Sequence, residues 1–117
     1  MSIEEIRDYC LKLPGVTEDI KWENHLCFNI GGKMFLVTNP DGFPVSASIK
    51  TTDALFDELT THDGITPAPY MARNKWVHLD DIARFTESEW GDYIKIAYDL
   101  KFSKLTAKAK KEILGQG

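Results

Sequence analysis

The residues best equipped for recognition chemistry lie in one run, Gly64 to Leu79, where Tyr70, Arg73, Lys75 and Trp76 stand close together. Arginine and lysine each neutralise a phosphate or carboxylate. Tyrosine and tryptophan stack on a base or anchor an apolar partner. Pro67 and Pro69, separated only by Ala68, disfavour helix and predict an extended entry into Tyr70. The plainer alternative is that Tyr70 and Trp76 pack into the core while Arg73 and Lys75 are solvated at its rim. A second basic area begins at Lys101, where five lysines, Lys101, Lys104, Lys108, Lys110 and Lys111, face a single carboxylate, Glu112. These lysines either form a second phosphate contact or solubilise a terminal helix and complement its dipole.

Other chemistries find less support. His62-Asp63 and His78-Leu79-Asp80-Asp81 contain metal-ligand types, but their spacing matches no closed zinc set. Solvated loop residues and a helix-entry carboxylate pair explain them, and no metal or cofactor is expected. Cys27 and His25 share a strand face two residues apart, a generic pairing that reads as a buried structural thiol rather than an activated one. Gly31-Gly32 joins two strands instead of leading from strand into helix, so it is not a phosphate-binding glycine loop. The chain reads as a non-enzymatic domain.

Composition sets the frame. At 117 residues the chain fits one domain, residues 1–117, with 43% apolar and 27% charged residues, the balance of an ordinary globular protein. Its apolar runs are far shorter than the roughly 20 residues needed to span a bilayer. The start Met-Ser-Ile-Glu-Glu lacks a signal pattern, so a cytoplasmic location is expected. Cys10 and Cys27 then read as buried free thiols. The net charge of -4 argues against indiscriminate nucleic-acid binding but leaves room for a local basic patch.

The elements that must position these groups follow from pattern. Ser2 with Glu5 forms a capping box, and Ile3, Ile6, Cys10 and Leu13 lie on one helical face until Pro14-Gly15. Strands are expected at Val16 to Trp22, His25 to Ile30 and Lys33 to Thr38, the last two joined by a tight Gly31-Gly32 hairpin. A regular hairpin pairs Phe28 with Phe35 and Leu26 with Val37 on the core face. It leaves His25, Cys27, Asn29, Met34, Leu36 and Thr38 on the other. After the Asn39-Pro40-Asp41-Gly42 turn, Phe43, Val45, Ala47 and Ile49 alternate as a half-buried strand. Thr51, Thr52 and Asp53 offer caps for a short helix, and Lys75 to Leu79 reads as the last strand. Thr86 with Glu89 repeats the capping box before a helix carrying Trp90, Tyr93, Ile94, Ala97 and Leu100, and a kinked or separate basic helix follows. This order predicts an α+β two-layer sandwich: an antiparallel sheet of about five strands packed against N- and C-terminal helices, its other face free for function.

At several of these points the chain resembles the MmcQ/YjbR family of small bacterial proteins. The matching pieces are Lys21-Trp22, Gly32-Lys33-Met34-Phe35, Pro67-Ala68-Pro69-Tyr70-Met71-Ala72-Arg73, Lys75-Trp76-Val77 and Tyr98-Asp99-Leu100. The resemblance implies a CyaY-like fold and a double-wing mode of DNA binding. Carried onto this chain, the wings are hairpin or loop tips such as Gly31-Gly32 and Asn39 to Gly42.

Residues and resemblance together give a first expectation: a DNA-binding or regulatory domain, a monomer, contacting phosphates through Lys33, Arg73, Lys75, Lys104, Lys108 and Lys111, with Tyr70 or Trp76 as aromatic anchor. The alternative is a module that binds a small anionic ligand or a protein partner on the open sheet face, in a hollow near His25, Asn29, Tyr70 and Trp76.

Overall fold

The computed structural model describes residues 1–115. Ser2 begins the first helix, α1 (Ile3–Leu11), through the expected box: its Oγ accepts from the Glu5 amide at 3.2 Å, and its own amide donates to Glu5 Oε1 at 3.1 Å. Gly15, at φ +76, then turns the chain into β1 (Val16–Lys21). Three antiparallel strands continue the sheet: β2 (His25–Ile30), β3 (Lys33–Asn39) and β4 (Ser46–Lys50). Thr52 caps α2 (Asp53–Leu59), accepting from the Leu55 amide. The short β5 (Ile65–Pro67) and a 3-10 turn at Ala72–Asn74 lead to β6 (Trp76–Leu79). A second 3-10 turn at Ile82–Arg84 precedes α3 (Glu87–Phe102), begun by the Thr86/Glu89 capping box, and α4 (Ala107–Gly115) closes the chain.

The architecture is α+β, with an antiparallel sheet in the order β1-β2-β3-β4-β6-β5. It has six strands where the sequence suggests about five. The added one, β5, is a three-residue strand that ends at Pro67 on the sheet edge, the position where proline is tolerated because its missing N–H faces no partner. Helix α3 lies across β2, β3 and β4, with α1 beside it. Together they cover Phe28, Ile30, Phe35, Leu36, Ile49, Val77 and Leu79, all buried with Ile6, Trp90 and Ile94 in one core. Removing each of these large side chains from water contributes on the order of 2 kcal/mol. Polar groups taken into this core are paired: Trp90 Nε1 donates to the Ile82 carbonyl at 2.7 Å, and the Tyr98 hydroxyl donates to the Pro14 carbonyl at 2.7 Å.

The β2–β3 register departs from the regular hairpin. Ile30 opposes Lys33 and Asn29 opposes Met34, but Phe28 opposes Leu36 and Leu26 opposes Thr38. Phe35 is therefore the extra residue of a bulge, and every position after it changes face. The expected pairs Phe28–Phe35 and Leu26–Val37 do not form. Leu36 and Thr38 join the helix-covered face, and Val37 moves to the open face opposite Cys27. The physical gain is that two consecutive large side chains, Phe35 and Leu36, both enter the main core. Two other boundaries shift. Regular pairing in β4 begins at Ser46 rather than Phe43, whose side chain is fully exposed, and β1 ends at Lys21, before Trp22.

Candidate functional site

Strand alternation decides which side chains reach the open face. From β2 these are His25, Cys27 and Asn29; from β4, Ser46, Ser48 and Lys50; from β6, Trp76 and His78. Register then aligns them, with Ser48 opposite His78 and Lys50 opposite Trp76. Ser48 Oγ and His78 Nδ1 are 2.9 Å apart and hydrogen-bonded. Part of this face is closed by the chain between β5 and β6: Ala68 and Met71 pack on Cys27, Val37 and Trp76, with Met34 alongside.

At one end of the sheet the strand termini gather positive charge. Lys33 begins β3, Lys50 ends β4, Lys75 precedes β6, Lys101 lies in the last turn of α3 and Lys104 just after it. Leu105, just beyond, packs against Gly31 of the β2–β3 hairpin and so brings this helix end to that end of the sheet. Lys101 extends over the Trp76 ring, its Nζ 5.9 Å from the ring centroid, and Lys75 lies over Phe56 at 4.9 Å. Burial pushes the Lys50 ammonium below the usual lysine range, and the neighbouring charges of Lys104 and Lys75 add to this, against the opposing pull of Asp53. Lys101 is lowered likewise, by burial first and then by Lys104, Lys50 and Lys33. Among the described residues the ion pairs are Arg7–Glu18, Arg84–Asp80 and Lys95–Asp99; none of these five clustered lysines takes part in one. Lys50 instead donates to the Asn74 carbonyl. The cluster is thus a concentration of like charge on a chain whose net charge is -4.

Further along the same face lies a cavity of about 380 Å³ lined by Trp22, His25, Val37, Ser48, Pro69, Tyr70 and Met71. A smaller hollow of about 60 Å³ adjoins it, sharing His25, Val37 and Ser48 and adding Asn39 and His78. The two buried side-chain atoms without a hydrogen-bond partner among the described residues, His25 Nδ1 and Asn39 Oδ1, both belong to this smaller hollow. Trp22 and Tyr70 stand at the rim of the larger cavity, 61% and 105% exposed. Both have left-handed backbones, φ 49 and φ 65, a conformation that bulky residues rarely adopt. Trp22 meets the His25 ring edge-on at 6.0 Å.

The residues singled out from sequence therefore separate into groups. Lys33, Lys75 and Lys104 belong to the lysine cluster, in which Trp76 lies beneath Lys101. Trp76 is only 4% exposed, so its ring packs with Cys27, Val37 and Ala68 instead of standing free, and the exposed aromatic of the central run is Tyr70. Arg73 is exposed in the 3-10 turn between Tyr70 and Lys75. Lys108 and Lys111 are exposed on α4 and form no ion pair among the described residues. The hollow expected near His25, Asn29, Tyr70 and Trp76 is present at His25 and Tyr70, while Asn29 and Trp76 lie outside its lining. Sequence reasoning leaves out Lys50 from the cluster and Trp22 from the cavity. Lys50 has a readable signal, since it follows Ser46 and Ser48 on the polar side of an alternating strand. Trp22 has none, because a Trp-Glu pair carries no turn signature. Neither cysteine is poised for chemistry: both are buried and free, and burial raises Cys27 and pushes Cys10 up to about 12.

No helix among the described residues is long and apolar enough to cross a membrane, and none of their His, Cys, Asp and Glu side chains form a group of three or more suited to a metal ion. Comparison with solved structures finds the same fold in other bacterial proteins. A Deinococcus radiodurans protein of the DUF419 domain superposes with a TM-score of 0.83 at 22% identity, covering 97% of this chain and 88% of its own. A Pseudomonas syringae protein superposes with a TM-score of 0.70 at 19% identity, covering 86% of this chain and 99% of its own. No curated protein matches the sequence. The YjbR family model matches residues 11–100, from the end of α1 through most of α3, and the chain therefore belongs to the YjbR family.

Proposed function

We propose that this protein is a non-enzymatic DNA-binding or regulatory domain that holds backbone phosphates on the lysine-lined end of its sheet. The observation that carries this reading is the cluster of Lys33, Lys50, Lys75, Lys101 and Lys104, in which burial and then neighbouring lysines lower Lys50 and Lys101, and no member forms an ion pair among the described residues. An anion placed among them relieves that repulsion, and a polyanion meets several lysines at once. Exposed Arg73 extends the cluster toward Tyr70. A local patch of this kind suits an otherwise acidic protein, because carboxylates elsewhere on the surface discourage binding in other orientations.

The test is fluorescence anisotropy of a short labelled DNA duplex across a salt series. Affinity falls steeply with salt, because counterions displaced from DNA on binding compete more strongly as their concentration rises. Lys50→Gln with Lys101→Gln flattens the logarithmic salt slope by roughly one unit for each phosphate no longer neutralised. An unchanged slope removes these lysines from the interface, and absence of binding at low salt overturns the reading.

A further inference from the structure

Resting on that reading, we infer that the cavity between Trp22 and Tyr70 receives an unpaired nucleobase, so that the strand held by the lysines is single at that point. Two bulky aromatics stand at the rim of one cavity, and each is kept in a left-handed backbone, φ 49 and φ 65, that ordinary packing does not favour. The backbone sets the direction of each Cα–Cβ bond and leaves both rings exposed, which suits a surface on which a flat ring stacks. The cavity, at about 380 Å³, lies in the size range of sites for small planar ligands. In the adjoining hollow, His25 and Asn39 each hold a buried atom, Nδ1 and Oδ1, with no hydrogen-bond partner among the described residues, and a small outward rotation of either side chain offers it to the edge of a base.

Continuity with the lysine cluster follows from register. Ser48 lines the cavity, and Lys50 is the next residue of β4 on the same face, roughly 6.5 Å further along the strand. Tyr70 and Lys75 belong to one connection, with Arg73 between them. A strand with its phosphates on the lysines thus runs past the cavity mouth. A base held inside a duplex is stacked on both faces and cannot enter; an unpaired base can.

The experiment compares three labelled probes of equal length with the intact protein: an oligothymidylate, a duplex, and a single strand with abasic sites along its centre. Trp22 is the exposed tryptophan, since Trp76 and Trp90 are buried, so stacking also quenches a readable fraction of the protein's emission. Oligothymidylate is expected to bind more tightly than the duplex and to quench that emission, with the abasic strand weaker by about five- to one-hundred-fold. Tyr70→Ala reproduces that loss on oligothymidylate. Equal affinity of the abasic and intact strands overturns the inference while leaving the phosphate reading standing. Failure of all three probes to bind at low salt removes both. Because the abasic comparison uses the unaltered protein, it stands whether or not the variant folds.

Discussion

The Lys101 ammonium lies 5.9 Å from the centroid of the Trp76 ring, joining the end of α3 to the start of β6. Through this contact the basic end of the long helix and the central run of the sequence become parts of one surface. The cation also gains an aromatic face in place of some of the water it loses. The compensation is partial, because burial and three neighbouring lysines still hold Lys101 below the ordinary lysine range.

That residual repulsion has a pH signature. Lys50 and Lys101 bind their protons more weakly in the folded than in the unfolded chain, so the folded state carries fewer protons as pH approaches the ordinary lysine value. Their destabilising effect is complete below the folded-state pKa and fades as pH rises through it toward the unfolded value. Relative to a Lys50→Met, Lys101→Met double variant, the natural protein therefore gains stability on moving into the alkaline range. Paired denaturant titrations at neutral and alkaline pH read this difference, and a gap that widens with pH contradicts it.

Tyr70→Gly separates strain from packing. The side chain is fully exposed, so little burial is given up, and glycine relieves a left-handed conformation that costs about 1–2 kcal/mol. The greater flexibility of glycine when unfolded takes back about 0.5–1 kcal/mol. The variant should be more stable by a few tenths to about 1 kcal/mol in thermal melts, even as it binds oligothymidylate poorly. A destabilised variant shows that Tyr70 contributes packing.

Gly31 and Gly32 form one hairpin but tolerate alanine differently. Both have positive φ, +56 and +78. A Cβ on Gly31 meets Leu105 Cδ2 at 2.5 Å, while one on Gly32 meets nothing within 4 Å. Gly32→Ala is expected to cost about 1 kcal/mol from the backbone alone. Gly31→Ala adds displacement of Leu105 and should cost a further 1–3 kcal/mol, roughly. Equal melting temperatures for the two variants contradict the close approach of Leu105.

Tyr98→Phe removes the donor to the Pro14 carbonyl and leaves the stacking of Tyr98 on Phe102 in place. The expected loss is about 1 kcal/mol, seen as a lower denaturant midpoint with an unchanged slope.

Both thiols should resist a disulfide reagent in the native state at about pH 8. Cys10, with a pKa pushed up to about 12, is almost wholly protonated there, and Cys27 is buried and raised as well. Rapid labelling appears only on unfolding, and native-state labelling of either thiol contradicts their burial.

The helix starts are legible in the sequence because a capping box is a local event: Ser2 with Glu5 and Thr86 with Glu89 complete their bonds within one turn. The β2–β3 register is not, because the bulge at Phe35 depends on what the helices offer the sheet. Only when Tyr98 lies over β3, edge-on to Phe35 at 6.1 Å, is there reason for Phe35 and Leu36 to point the same way. Similarly, Lys33, Lys75 and Lys104 can be named as cationic from the sequence, but their convergence requires the hairpin, the start of β6 and the end of α3 to share one end of the sheet. Trp22 reads as a strand residue because its left-handed turn is imposed by context: the left-handed positions fall on Trp22 and Glu23, and the turn's asparagine, Asn24, comes only after them. Proline conceals β5, since Pro67 and Pro69 argue against a strand unless the strand is at the edge.

The sheet's two borders also limit how another chain can dock. On one side β5 is only three residues long and ends at Pro67, whose nitrogen has no hydrogen to donate. On the other, β1 carries Glu18, Asp19 and Lys21, charges that disfavour continuous pairing with a neighbouring backbone. Growth of the sheet by strand addition is thus discouraged at both margins, protecting a six-stranded platform from self-association in extended form. On the function proposed above, a partner is therefore recognised on the open part of the sheet face by side chains rather than by borrowed backbone hydrogen bonds.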